Sequence, residues 1–260
     1  MTRVDDLFAT CKAEGRAALI GYLPVGFPSY DESVAGMLAM VDGGVDLVEV
    51  GVPYTDPGMD GPLIQVAVDA ALRAGSRISH VFDAVRAVSE VAPVVVMGYW
   101  NPIEKMTPAV FAQRLVEAGA SGAITPDLIP EEAAPWLAAA KDNDLDPIFL
   151  VAPSSTDARI AVVGRTNRGF VYAASTMGVT GTRATVGNRA EELVARTRAQ
   201  TDLPVCVGLG VSNGDHAAEV AAYADGVIVG SAFVRALQDG GVEAVRRLAS
   251  ELAEGVRRKA

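Results

Sequence analysis

The sequence predicts an α/β protein, a (β/α)8 or TIM barrel with a short extra helix at its N-terminus. Three observations carry the prediction. Eight short apolar runs alternate with helical patterns along 260 residues, with no low-complexity linker or composition shift between them. The last two runs end in glycine turns, Gly208-Leu209-Gly210 and Gly230-Ser231, at the loops where such barrels hold phosphate. The second run, Leu47 to Val52, contains one acid, Glu49, and a stiff loop follows it. A doubly wound open sheet is the competing architecture. It would more often carry G-x-G-x-x-G after its first strand, and none is there. Gly208-x-Gly210 comes late, with Asn213 where the third glycine should stand. Residues 1–260 read as a single barrel domain.

Each element has its own signal. Residues 2–14 have helical spacing, with Val4, Leu7 and Cys11 on one side. Ala17 to Leu23 is the first strand, closed by Pro24, Gly26 and Pro28. Ser29 or Asp31 caps a helix running to Asp42, with Val34, Met37, Leu38 and Val41 as its buried stripe. After the second strand and its loop, Leu63 to Arg73 is helical, and Ile78 to Val91 resumes beyond Gly75-Ser76. Pro93 to Tyr99 is the third strand, ending in Trp100-Asn101-Pro102. Thr107 caps a helix with Pro108 at its first position and Gly119 beyond its end. Ser121 to Thr125 is the fourth strand, and Glu131 to Lys141 a helix. Pro147 to Ala152 is the fifth strand, and Asp157 to Val163 a short helix. Gly169 to Ala174 is the sixth strand, and Ser175 to Gly187 a loop rich in Gly and Thr. Ala190 to Gln200 is helical, Leu203 to Val207 the seventh strand, Asp215 to Ala222 helical, and Asp225 to Val229 the eighth strand. A final helix runs from Ala232, broken near Gly240-Gly241.

Composition excludes several classes of function. The net charge of −10 argues against nucleic acid and anionic membrane surfaces as partners. It does not argue against a phosphate ligand, because distant charges are screened over ~8–10 Å and local backbone amides can hold an anion. Cys11 and Cys206 form no metal or redox pattern, so a reduced, cytoplasmic protein is expected. No signal peptide is expected from the charged first residues, and no apolar run approaches a membrane span. His80 and His216 read as surface residues, and no metal-ligand cluster or Ser/His/Asp triad can be assembled.

Glu49 is the sharpest candidate for chemistry. An unpaired carboxylate on a buried strand costs several kcal/mol, so such a group goes neutral or finds a use. The alternative is a structural pairing with a core Tyr or Arg. Pro53, Pro57 and Pro62 make the following loop unable to continue as strand or regular helix, and it carries Asp56 and Asp60. Asp60 reads either as a helix N-cap or as a second acid at the barrel mouth. Two acids there can divide acid and base work if their surroundings push their pKa values apart. Gly208, Gly210, Gly230 and Ser231 suit phosphate, since glycines let backbone approach an anion and helix N-termini point amides at it. Gly178 to Arg183 has the glycine-flanked pattern of a mobile lid. Tyr172 is either core or a pocket-lining hydroxyl.

These residues are familiar as a set. Glu49-x-Gly51-x-Pro53-Tyr54-Thr55-Asp56-Pro57-x-x-Asp60-Gly61-Pro62-x-Ile64-Gln65 closely resembles the signature of the tryptophan synthase alpha subunit family. Pro126 to Glu132, Gly178-Val179-Thr180-Gly181, Gly208 to Ser212 and Gly230-Ser231 match further family segments in order. The resemblance implies a (β/α)8 barrel and a lyase of tryptophan biosynthesis. Such a lyase cleaves indole-3-glycerol phosphate to indole and glyceraldehyde 3-phosphate by a retro-aldol reaction. It implies Glu49 as general acid/base, Asp60 as the group that stabilises positive charge at the indole N–H, and Tyr22 and Tyr172 as pocket walls. It assigns Gly181, Gly210, Gly230 and Ser231 to the phosphate, and Thr180 to a lid set against Asp60. It implies no cofactor on this chain and a pyridoxal-phosphate beta subunit as partner in a heterotetramer, met by Pro53, Asp56, Asn101 and Asp127. Departures are modest: Tyr22 where many members have Phe, Thr55 for Ser, Met59 for a smaller residue, Leu209 for a frequent Phe, and Thr176 where Arg is common. A stand-alone indole-releasing lyase, a phosphosugar isomerase on the same barrel, and a non-catalytic activator of a beta subunit stay open as alternatives.

Overall fold

The computed structural model describes residues 2–174, 183–208 and 210–258. Its strands are β1 (Ala18–Pro24), β2 (Leu47–Gly51), β3 (Val94–Met97), β4 (Gly122–Ile124), β5 (Asp146–Ile148), β6 (Leu150–Val151), β7 (Val171–Ala174), β8 (Val205–Gly208) and β9 (Gly226–Val229). All pair in parallel, in the order β5-β4-β3-β2-β1-β9-β8-β7-β6. β5 and β6 are two halves of one barrel position, so continuity of the chain through Phe149 joins the two ends of the sheet. The nine strands make a nearly closed barrel.

The expected fifth strand is thus interrupted, and the cause is Asn167. Its side chain is buried and enters the ladder, accepting from the Phe149 N–H (3.1 Å) and donating to the carbonyls of Phe149 (3.1 Å) and Phe170 (2.9 Å). A side-chain amide enters the ladder at that point, sharing the Phe149 carbonyl with the Tyr172 N–H (3.4 Å).

Eleven helices surround the barrel among the described residues. They are α1 (Arg3–Glu14), α2 (Tyr30–Asp42), α3 (Pro62–Arg73), α4 (Ile78–Ser89), α5 (Trp100–Met106), α6 (Pro108–Ala118), α7 (Ala134–Asp142), α8 (Asp157–Thr166), α9 (Arg183–Arg198), α10 (Gly214–Ala221) and α11 (Ser231–Arg257). Caps follow the sequence signals: Ser29 accepts from the Glu32 N–H, Thr107 from Val110, and Gly119 closes α6 in the left-handed conformation. The helix expected from Glu131 is a 3-10 turn, Pro130–Glu132, followed by α7. Trp100-Asn101-Pro102, read as the end of a strand, opens α5. The Asp127 carboxylate, from a distant loop, accepts the Trp100 N–H (2.9 Å). Pro102 sits in the first turn, where its missing donor costs nothing. α9 starts at Arg183, so residues 183–187, expected as loop, are helical. α11 bends at Gly241, which has a φ of 63°.

Period-two alternation separates two cores. Val48 and Val50, with their counterparts Val94 and Val96, face the helices. Ala18, Ile20, Tyr22, Leu47, Val95, Met97, Ile124, Ile148, Cys206 and Ile228 face the barrel axis. α1 closes the lower end. Its buried side chains are Val4, Phe8 and Cys11, and half-buried Leu7 packs on the same cluster, as its spacing predicts. Phe8 meets Phe170 with ring centroids 5.8 Å apart. The Thr2 hydroxyl, which caps α1, donates to buried Asp146 (2.7 Å). Three aspartates at this face serve structure: Asp146 anchors α1, Asp46 takes Arg16 in a two-pronged pair (2.8 and 3.0 Å), and Asp225 takes Arg198 (2.9 Å). Phe8→Ala is expected to lower unfolding free energy by about 3–5 kcal/mol in urea denaturation, because the surroundings cannot collapse onto the void left against Phe170.

Candidate active site

Glu49 belongs to the inward set of β2, in phase with Leu47, and its register neighbours are Tyr22 on β1 and Val95 on β3. Its side chain is buried at 2% exposure, and Oε2 has no hydrogen-bond partner. The structural alternative, a pairing that satisfies this carboxyl, is therefore not what the fold provides. Burial, then the nearby Asp60 charge, pushes its pKa up to about 8.

Asp60 stands at the end of the loop leaving β2. It does not cap α3. The N-cap is Gly61, with no side-chain cap bond. The Asp60 carboxylate instead accepts from the Tyr99 hydroxyl (3.2 Å). Burial raises its pKa to about 6, opposed by that hydrogen bond. The loop around it is pinned locally. Gln65 donates to the Asp60 carbonyl (2.9 Å), and the Met59 N–H donates to the Tyr99 oxygen (3.0 Å).

Both acids open into a cavity of about 750 Å3 at the C-terminal ends of the strands. Tyr22, Met97, Ile124, Leu150, Tyr172 and Ile228 form its wall. Gly208, Gly210, Gly230 and Ser231 form its far rim. Two of the glycines are spaces for rings. A Cβ on Gly51 would lie 2.5 Å from the Tyr22 hydroxyl, and one on Gly208 would lie 2.7 Å from that of Tyr172. Burial and the two carboxyls raise both phenols well above their ordinary range, so they remain neutral. Gly230 is the N-cap of α11 with no side-chain cap bond, which leaves the start of that helix facing the rim. Gly210 has a φ of 65°, a conformation that favours glycine.

The exposed residues expected to meet a partner stand on the outer lip. Asp56, Asn101 and Asp127 are exposed and Pro53 half-buried. Asn101 donates to the Tyr54 hydroxyl (3.1 Å), and Tyr54 stacks on Tyr99 with centroids 5.2 Å apart. Met59 and Ile129 add exposed apolar surface there. Thr180 and Gly181 lie outside the described residues, as do Leu209 and the segment 175–182. The histidines are half-buried rather than free at the surface: His80 packs on Tyr30, and His216 bonds to Ser212 and Asn213. Sequence reasoning passed over Tyr99, which it took as the last residue of a strand. A polar aromatic following a buried apolar run was the available signal.

Residues 8–259 match a family model described as tryptophan synthase alpha chain. The chain belongs to the tryptophan synthase alpha chain family. That family consists of lyases acting on indole-3-glycerol phosphate in tryptophan biosynthesis. A Mycobacterium intracellulare alpha chain is 56% identical over 260 residues, covering 100% of this chain and 96% of that one. A Streptomyces avermitilis alpha chain is 57% identical, covering 98% and 94%. Among solved structures, one of tryptophan synthase from M. tuberculosis superposes with a TM-score of 0.93 at 52% identity over 100% of both chains. The alpha subunit from Legionella pneumophila superposes at 0.90 and 31% identity over 98% of both. Among the described residues no cluster of metal-binding side chains occurs, and no helix is long and apolar enough to cross a membrane.

The buried, unpartnered Glu49 carboxyl carries a stability cost that can be measured. A buried carboxyl with a raised pKa favours the folded state below its ordinary value of ~4.3, and that contribution is lost as pH rises to about 8. Glu49→Gln removes this loss. In urea denaturation at pH 5 and pH 9, the variant is expected to gain on the wild type at the higher pH by on the order of 4 kcal/mol.

Proposed function

We propose that Glu49 and Asp60 divide the retro-aldol cleavage of indole-3-glycerol phosphate between them. The observation that carries this reading is a buried carboxyl with a raised pKa, facing a cavity whose opposite rim is a helix N-terminus flanked by glycines. Glu49, protonated near neutrality, delivers its proton to indole C3. The ring becomes an iminium, and ionised Asp60 balances the positive charge at its N–H. The Glu49 carboxylate then takes the C3′ hydroxyl proton as the C3–C3′ bond breaks. The bonding pair returns to the ring, the aldehyde forms, and Glu49 regains its starting state. The substrate's own ring is the electron sink, so the step needs no cofactor on this chain. Acid/base groups of this kind contribute ~10²–10⁴-fold each.

Tyr22, Tyr172 and the apolar wall hold the indole. Gly208, Gly210, Gly230 and Ser231, with Gly181, hold the phosphate, and Thr180 sets the lid against Asp60. Residues 1–260 act as one barrel domain in the cytoplasm. Pro53, Asp56, Asn101 and Asp127 form the face for a pyridoxal-phosphate beta subunit in an alpha2beta2 heterotetramer. The exposure of that lip and of Met59 beside it supports the assignment.

Purified chain with indole-3-glycerol phosphate is expected to release indole slowly, and much faster with a beta subunit. Equal rates would favour a stand-alone lyase. Glu49→Gln is expected to abolish cleavage while binding substrate; appreciable turnover removes Glu49 from the mechanism. The pH dependence of kcat/KM is expected to be bell-shaped between about 6 and about 8. Below it Asp60 is neutral and cannot balance the iminium. Above it Glu49 has lost the proton it must give.

A further inference from the structure

We propose that Tyr99 is a positioning residue for Asp60, through which the exposed Tyr54–Asn101 lip sets where that carboxylate stands. The inference rests on the role given to Asp60 above. Tyr99 is 3% exposed and lies at the start of α5, outside the cavity wall. Its hydroxyl accepts from the Met59 N–H at 3.0 Å. A phenol has one proton, and at 3.2 Å that proton is donated to Asp60 Oδ2. One oxygen atom thus holds both the backbone of the loop and the side chain at its end.

The ring is held from the outside. It stacks on Tyr54 at an interplanar angle of 28°, and Asn101, two residues beyond Tyr99, donates to the Tyr54 hydroxyl. Tyr54 is therefore gripped at its face by one residue of the helix start and at its tip by another. Asp127 fixes that helix start by accepting the Trp100 N–H. Whatever docks on the exposed Asn101 and Asp127 side chains bears on the atoms that place Tyr99. The charged and titratable groups around Asp60 are Glu49 from β2, Tyr22 from β1, Tyr172 from β7, and Tyr99, which itself feels Asp127. Of these, Tyr99 alone donates a hydrogen bond to the Asp60 carboxylate among the described residues. Burial and Asp60 hold the Tyr99 phenol far above its ordinary value, so it keeps that proton throughout the working range.

Tyr99→Phe keeps the ring and the stack and deletes the oxygen. Assayed with the beta subunit and indole-3-glycerol phosphate, its kcat is expected to fall roughly ten-fold, with KM changed much less. The acidic limb of kcat/KM is expected to move up by about one pH unit, because Asp60 has lost the bond that favours its ionised form. Tyr54→Phe, which cuts only the Asn101 bond, is expected to move the limb the same way by less. In the Asp60→Asn background, Tyr99→Phe is expected to add nothing. Wild-type kcat and an unmoved acidic limb in Tyr99→Phe, while Asp60→Asn is inactive, overturn the role of Tyr99 and leave Asp60 in place. An Asp60→Asn variant that turns over near the wild-type rate overturns the Asp60 reading itself. A loss of activity in Tyr99→Phe with no shift of the limb marks a purely structural tyrosine and also overturns the proposal.

Discussion

A single carboxyl held dry on the inner face of β2 governs the arrangement of the upper barrel. Water would solvate Glu49 and return it to an ordinary acid. The cavity instead surrounds it with Tyr22, Met97, Ile124, Tyr172 and Ile228, and leaves one oxygen unpartnered. The neighbouring glycines follow from the same requirement. Gly51 and Gly208 have no side chain because the tyrosines that cover the acid lie where a Cβ would be. Removing solvent thus raises the proton affinity of Glu49 and goes with an apolar-walled pocket.

The two ends of the barrel hold their acids with different partners. At the lower face Asp46, Asp146 and Asp225 are tied to Arg16, Thr2 and Arg198, and lock strands and α1 in place. At the upper face Glu49 is unpaired, and Asp60 has one phenolic donor. The lower acids hold structure together, while the two upper acids border the cavity.

Much of this was legible in the chain, for identifiable reasons. Strands and helices were recoverable because buried runs and helical stripes are local patterns. Glu49 stood out because an acid breaks an otherwise apolar run. The glycine turns after the last two strands stood out because of where they fall in the alternation. What escaped notice depends on contacts between distant residues. Asn167 cuts the fifth strand from eighteen residues away, and Asp127 starts α5 from another loop. Neither leaves a mark in the affected segment itself. Asp60 was ambiguous for the same reason: an Asp before Gly-Pro looks like a cap, and only the distant Tyr99 hydroxyl shows that its carboxylate serves elsewhere. Phe8 joined Leu7 on the buried side because the neighbour it meets, Phe170, is distant in sequence.

The helix packed across the lower opening has a consequence for traffic. Among the described residues, Val4, Phe8 and Cys11 cork that end, and the cavity opens at the other. In the proposed reaction, a small apolar molecule released beside Glu49 finds the corked end below it and the lip above. Any protein seated on that lip becomes the gatekeeper, deciding whether the molecule is handed on or lost to bulk solvent.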